Sequence, residues 1–275
     1  RTIGWWHFFF PAKENEHNLR PGYYDELRRQ LEGKDHIIKR FVDGEIVAIY
    51  PGMPVFGRDF RQEIHVRNEL KPIPGRPLIL GWDFGNTPAC IVTQVDAKGR
   101  WLWLKEFQAG YEEGHITSQM GIKTFGELVR TEINQKFPGM VIGLGYGDPS
   151  MNKKAETDEK TCKQYLNALH FRLSPGKVDI ESRVEGIRGR LTTILDGEPG
   201  LIISRHGCPL SIEALAGGYR YRVSKDGSVI YGLEPVKDEF SHTMDAAGYI
   251  ASKLFFVNIF KHIYEPKLPP TAWAS

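Results

Sequence analysis

Cysteine is scarce in this chain: Cys90, Cys162 and Cys208 are the only three in 275 residues, odd in number, far apart and outside any Cys-x-x-Cys spacing. That excludes a disulfide framework and argues against a cysteine-bound structural zinc, so the thiols read as reduced groups of an intracellular protein. Long apolar runs are missing too. The start "TIGWWHFFF" falls well short of the roughly 20 residues a bilayer-spanning helix needs, so no membrane partner is expected. It also lacks the charged leader and small-residue cleavage site of a signal peptide. It reads as a buried strand into which the chain's first residue cuts, suggesting a fragment of something longer. Charge of one sign is not in excess either. With 36 Lys and Arg against 34 Asp and Glu, no global basic signature points to nucleic acid, and any such surface must come from local clustering. There is no internal repeat and no low-complexity tract. What remains, 41% hydrophobic and 25% charged, is ordinary globular composition, enough for one large or two smaller domains.

Periodicity divides the chain. "RPGYYDELRRQLEG", residues 20 to 33, carries Pro21 near a helix start, Gly33 just past its end and Tyr24, Leu27 and Leu31 at helical spacing. "RFVDGEIVAIYPGMPVFGRDF" reads as a hairpin and an irregular connector, and "KPIPGRP" at 71–77 marks a domain boundary. Beyond it, apolar runs at 78–82, 89–95 and 101–107 predict three strands joined by tight turns. A helix is expected from Ile116 to Phe137, with Phe125, Leu128, Val129 and Ile133 on its apolar face, followed by a fourth strand in "MVIGLGYGDPS". Helical stretches around 156–169 and 180–196 and a strand at 201–204 come next. Alternation on both sides of Asp226-Gly227 predicts a hairpin. The last helix, "SHTMDAAGYIASKLFF", has Met244, Ala247, Ile250, Ala251 and Leu254 on one face and Ser241 as cap, which places Asp245 in or near its first turn.

Three carboxylates stand at element ends: Asp83 after the first strand of the unit, Asp148 after the fourth and Asp245 at the start of the last helix. In an open α/β sheet ligands gather at the carboxyl ends of strands, so Asp83 and Asp148 are expected to be neighbours. Converging carboxylates without partners repel, and a pair of divalent cations relieves that repulsion; hard oxygen ligands select magnesium or manganese. Two such ions form a clamp for in-line attack on a phosphodiester. Taken singly, each Asp is more readily a turn or cap residue, and it is the three together, in this order, that point to a site.

"LILGWDFGN", "GLGYGDPS" and "SHTMDAAGY", in that order around a β-β-β-α-β core, resemble the three acidic motifs of the nuclease domain in the large subunit of viral DNA-packaging terminases. "KVDIESRVEGIRGRL" resembles that family's Arg-bearing helix, and "YRYRVSKDGSVIYGLEPVKDEFSHTMDAAGY" its hairpin leading into the third acidic motif. The likeness covers residues 76–256. "NLRPGYYDELRRQLEG" and "RFVDGEIVAIYPGMPVF" are similar to the end of the terminase ATPase domain and its linker.

The resemblance implies an α/β, ribonuclease H-like mixed sheet flanked by helices, preceded by a small N-terminal α+β linker segment. Residues 1–75 would be the end of the ATPase domain and linker, 76–258 the nuclease domain and 259–275 a tail. It implies Asp83, Asp148 and Asp245 as ligands of two Mg²⁺ or Mn²⁺ ions, Asp83 bridging both, in an endonuclease cutting double-stranded DNA with little sequence preference. The implied partners are the portal protein, the small terminase subunit and the terminase ATPase domain, in the host cell cytoplasm. One departure from the whole family protein is plain: no G-x-x-x-x-G-K-[ST] loop occurs, since Gly176-Lys177 is followed by Val178, so this chain is not expected to hydrolyse ATP by itself.

Around these acids stand secondary candidates. His242 can approach the metals or the scissile phosphate, or serve as a helix residue that hydrogen-bonds a ligand from outside. Lys153, Lys154, Arg183, Arg188 and Arg190, and the hairpin's Arg220, Arg222 and Lys225, are candidate phosphate contacts. The alternative for the first five is a solvated charged face, with Glu156, Asp158, Glu159, Glu181 and Glu185 among them, and for the hairpin residues an ordinary strand edge protected by charge. The cluster Trp5, Trp6, Phe8, Phe9 and Phe10 reads as core rather than as a platform for bases. Two other functions compete. "GWDFGNTPACIV" also resembles the first phosphate motif of the actin, sugar-kinase and heat-shock ATPase superfamily, although Pro149 removes a backbone donor where its second motif cradles phosphate. The third reading is a non-catalytic DNA- or portal-docking module whose acids are structural.

Overall fold

The computed structural model describes residues 16–30, 52–85, 87–112, 115–116, 120–154, 160–222 and 234–255. A seven-strand mixed sheet forms its centre. In chain order the strands are β1 (Val66–Arg67), β2 (Ile79–Asp83), β3 (Ala89–Val95), β4 (Trp101–Gln108), β5 (Leu144–Gly147), β6 (Arg172–Pro175) and β7 (Leu201–Ser204). Their spatial order is β1-β7-β4-β3-β2-β5-β6. β2, β3 and β4 form an antiparallel meander, while β5 pairs parallel with β2, β6 with β5, and β7 with β4. Short strands at Tyr111–Glu112 and His115–Ile116 extend the meander beyond β4.

Both faces of this sheet are covered, which is why its central strands read as nearly unbroken apolar runs. On one side Leu80, Trp82, Cys90, Val92, Leu102 and Leu104 pack against Phe125, Val129 and Ile133 of α2 (Ile122–Lys136) and Leu166 of α3 (Cys162–Ala168). On the other side the alternate residues Ile91, Trp101 and Trp103 meet Val184, Ile187 and Leu191 of α4 (Ile180–Thr192). Met244, Ala247 and Ile250 of α6 (Glu239–Leu254) complete that layer. Each strand thus divides its side chains between two cores by its period of two. α1 (Tyr23–Gln30) has no buried residue, and the short α5 (Pro209–Glu213) follows β7.

A close approach of helix to strand sets up the site. A Cβ added at Gly81, in the middle of β2, would lie 2.1 Å from the Ala246 carbonyl oxygen. Only glycine lets α6 lie directly on β2 there. Val55, Phe56 and Phe60 belong to the same core as α6, and Met53–Pro54 pairs antiparallel with Arg220–Tyr221. Residues on the N-terminal side of the Pro-rich stretch 71–77 therefore share the packing of the central sheet.

Several elements differ from expectation. α2 begins at Ile122 rather than at Ile116, which pairs as a strand residue, and Leu128 faces outward, 38% exposed. α4 stops at Thr192, because Asp196 and Gly197 both adopt positive φ and turn a small hairpin between Ile194–Leu195 and Glu198–Pro199. α6 is capped by Asp238, whose side chain accepts from the Phe240 amide at 3.1 Å, so Ser241 is not its cap. Asp245 consequently lies in the second turn. The hairpin around Asp226-Gly227 with Lys225, the acids Glu156, Asp158 and Glu159, the aromatic cluster Trp5–Phe10 and the tail 259–275 lie outside the described residues. Among the described residues no helix is long and apolar enough to cross a membrane.

Candidate active site

Sheet register brings the first two acids together. Trp82 pairs with Gly147 across the parallel β2–β5 ladder, and the Asp148 amide donates to the Trp82 carbonyl at 3.2 Å. Asp83 and Asp148 therefore leave adjacent strands at the same end. α6, laid across Gly81, adds the third: His242, Asp245 and Tyr249 stand three and four residues apart on one helical face. His242 Nδ1 is 2.9 Å from Asp83 Oδ2, and the Tyr249 hydroxyl donates to Asp148 Oδ2 at 2.5 Å.

The three carboxylates do not meet one another bare. Asp148 also accepts from the Ser150 amide at 2.6 Å, capping the 3-10 turn Pro149–Asn152. Asp245 accepts from Arg183 Nη1 at 2.9 Å through Oδ1 and from Lys237 Nζ at 2.5 Å through Oδ2. Arg183 in turn lies over the Tyr249 ring, 4.8 Å from its centroid. One connected set, Asp148–Tyr249–Arg183–Asp245–Lys237, thus spans the site. The expectation of converging acids without partners is corrected accordingly: neutralisation within the protein outweighs the repulsion. Among the described residues no group of three or more His, Cys, Asp or Glu side chains is arranged so as to hold one ion jointly.

Charge follows from these contacts. Burial works to raise the Asp148 carboxyl, but hydrogen bonds from Tyr249 and Ser150 outweigh it and hold it below the ordinary carboxylate value. Asp245 goes the other way: burial lifts its carboxyl despite Arg183 and Lys237, and the neighbouring Asp83 charge lifts it further. Burial also raises the Tyr249 hydroxyl, which stays a neutral donor, Asp148 and Asp245 adding to the effect.

Of the basic candidates, several are committed elsewhere. Arg183 is buried in the Asp245 ion pair. Arg188 bonds Asp59, the Val55 carbonyl and Glu185, clamping the N-terminal segment to α4. Arg190 donates to the Gly99 carbonyl and stacks its guanidinium over Phe255. Arg220 bonds the Gly218 carbonyl and Asp238 Oδ2, the residue that caps α6. These four hold packing and ion-pair partners, which a side chain turning to a phosphate would have to give up. Lys153, Lys154 and Arg222 are exposed. Lys237 and Tyr249 do not stand out in the sequence; for Tyr249 the available signal is its i+4 position from Asp245. Gly85, two residues after Asp83, does not carry a positive φ. A Cβ there would touch Asp83 Oδ2 at 3.7 Å and His242 Cε1 at 3.9 Å, ordinary contact distances.

A mixed sheet in this order, covered by helices on both faces, defines the ribonuclease H-like class of fold. Within that class the fold is that of bacteriophage large-terminase nuclease domains. The chain is similar to the large terminase of a thermophilic bacteriophage, at 17% identity and a TM-score of 0.55 over 89% of this chain and 54% of that one. It is similar to the P22 large terminase nuclease domain at 14% identity and a TM-score of 0.51, over 77% of this chain and 97% of that one. The chain thus spans about half the length of the thermophilic phage's protein. Neither a protein-family model nor a curated protein matches the sequence.

Proposed function

We propose that the chain is a divalent-metal-dependent endonuclease that cuts double-stranded DNA with little sequence preference during viral genome packaging. The observation that carries this reading is that Asp83 and Asp148 leave adjacent strand ends while α6, which carries Asp245, lies across β2. On this reading residues 76–258 are the nuclease domain, and 1–75 the end of an ATPase domain and its linker. The partners are double-stranded DNA, a portal protein, a small terminase subunit and an ATPase domain, in the host cell cytoplasm.

The donor set fits two Mg²⁺ or Mn²⁺ ions by chemistry: three carboxylates are hard oxygen ligands, and the Lys237 ammonium on Asp245 Oδ2 marks a place where positive charge is already favoured. When bound, two such ions polarise a water for in-line attack on the phosphodiester and offset charge on the leaving 3′ oxygen. The protein's own groups prepare the site. His242 Nδ1 sits 2.9 Å from Asp83 Oδ2 and holds that carboxyl group in one orientation. Tyr249 holds Asp148 in one orientation, and Arg183 does the same for Asp245.

The test is plasmid cleavage with magnesium or manganese by the wild type and by Asp83→Asn, an isosteric change whose retained fold is checked by circular dichroism. Wild-type cleavage lost in the variant supports the reading; full activity in the variant sinks it. A second reading, a non-catalytic docking module, draws on the fact that every one of the three acids has a protein partner. It predicts no rise in melting temperature with manganese relative to chelator, whereas ligand acids are stabilised by a bound ion through mass action.

A further inference from the structure

Asp245 has two cationic partners of opposite character. Arg183 reaches Oδ1 from inside the fold with its side chain 9% exposed, fixed by its stack on Tyr249. Lys237 reaches Oδ2 from the segment just before the α6 cap, with its side chain 52% exposed. Removing the guanidinium would strand a buried charge, which is strongly destabilising. Withdrawing the ammonium returns a flexible, strongly hydrated group to water at little cost. A cation arriving at Asp245 therefore finds one oxygen held permanently and the other held by a partner that can leave.

Resting on the reading of Asp245 as a metal ligand, we propose that Lys237 is the site's built-in competitor for the divalent ion: the ion binds Asp245 Oδ2 only by displacing the Lys237 ammonium, so Lys237 sets the metal affinity. The competition is for the same lone pairs and the same charge. It also links metal binding to residues 234–238, because the freed side chain belongs to the backbone that leads into the Asp238 cap.

Calorimetric titration of the full chain with manganese chloride tests this. Lys237→Met is expected to tighten manganese binding about fivefold, the worth of a partly exposed ion pair of about 1 kcal/mol. Lys237→Gln, which keeps a donor but no charge, should tighten it similarly, whereas Lys237→Arg should not. Lys98→Met serves as the control for general charge: Lys98 pairs with Asp196 beyond the far end of β3 from Asp83 and should leave affinity near wild type. Unchanged or weaker affinity in both Lys237→Met and Lys237→Gln overturns the proposal, as does equal tightening in Lys98→Met. In either case loss of binding in Asp83→Asn would leave the metal-ligand reading standing. Absence of manganese binding in the wild type overturns both.

Discussion

Tyr249 donates its hydroxyl to Asp148 Oδ2 at 2.5 Å, tying α6 to the end of β5. The bond orients a carboxylate whose other oxygen caps the turn that follows it. Tyr249→Phe removes one donor while keeping the ring under Arg183, so urea denaturation should show a loss of about 1 kcal/mol. The same variant should bind manganese more weakly than wild type by calorimetry. Wild-type affinity would show that Asp148 needs no such orientation.

Arg183 and Asp245 form a buried pair, and breaking one side should cost more than removing both. Arg183→Met leaves Asp245 with Lys237 alone, a loss of about 3–5 kcal/mol in urea unfolding. The double variant Arg183→Met with Asp245→Asn removes the buried charge together with its partner. It should be less destabilised than the sum of the two single variants, with a coupling above about 1 kcal/mol. Additive losses would mean that the two side chains do not act as a pair.

Gly81→Ala tests the helix-on-strand approach that creates the site. The new methyl would lie 2.1 Å from the Ala246 carbonyl, backbone that cannot swing aside, so α6 must lift off β2. Overpacking of this kind costs about 1–3 kcal/mol or more. A thermal melt should show it, together with a loss of manganese-induced stabilisation as Asp245 and His242 move from Asp83. Ala tolerated without a change in either would contradict the close contact.

How much of this is legible in the sequence depends on the range over which each signal acts. The strands at 89–95 and 201–204 fall where period and composition put them, because both sheet faces are covered and the apolar runs are unbroken. The placing of Asp83 and Asp148 at strand ends is visible because strand ends are locally encoded, whereas Asp245 falls in the second turn of α6, one turn deeper than the sequence suggests. The partners of these acids are not visible. Arg183 looks like any charge on an amphipathic helix until α4 packs on α6, and Lys237 reaches Asp245, eight residues further on, only once the chain has turned into α6. The end of α4 misleads although its signal is local: Ile-Leu-Asp-Gly-Glu-Pro is an Asp-Gly hairpin, and the favourable helical spacing before it masks the turn. Leu128 shows the converse, an apolar residue at the right spacing whose position falls just outside the stripe that meets the sheet.

The exposed cations separate phosphate contact from packing. On the proposed function, Lys153→Met with Lys154→Met should weaken duplex binding and lower the slope of log affinity against log salt by about 2, near one per lost contact. Arg188→Met, which releases Asp59 and the Val55 carbonyl, should instead lower the melting temperature with the salt slope unchanged. Fluorescence anisotropy with a labelled duplex at several salt concentrations reads the slopes, and a thermal melt reads the stability. A salt slope that falls in Arg188→Met and stays constant in the lysine variant would invert the assignment.

Glu106 gives a pH dependence outside the acidic cluster. Its carboxylate, buried in β4, accepts from the Leu210 amide at 2.6 Å and from the amide and hydroxyl of Ser211, joining the strand to α5. Burial pushes its pKa from an ordinary 4.5 up to about 7, although those hydrogen bonds and Lys105 pull the other way. A folded-state pKa above the unfolded one means that the folded state binds the proton more tightly. The resulting stability is fully present below about pH 4.5 and is lost as the pH rises through 7, a span on the order of 3 kcal/mol. Cys208 beside it stays neutral throughout, its thiol raised by burial and by Glu106. Glu106→Gln removes the titration, so the stability of wild type minus variant, measured by urea denaturation between about pH 5 and 8, should grow in the wild type's favour as the pH falls. A difference independent of pH would place the Glu106 pKa at its ordinary value and remove the cost of its burial from the account.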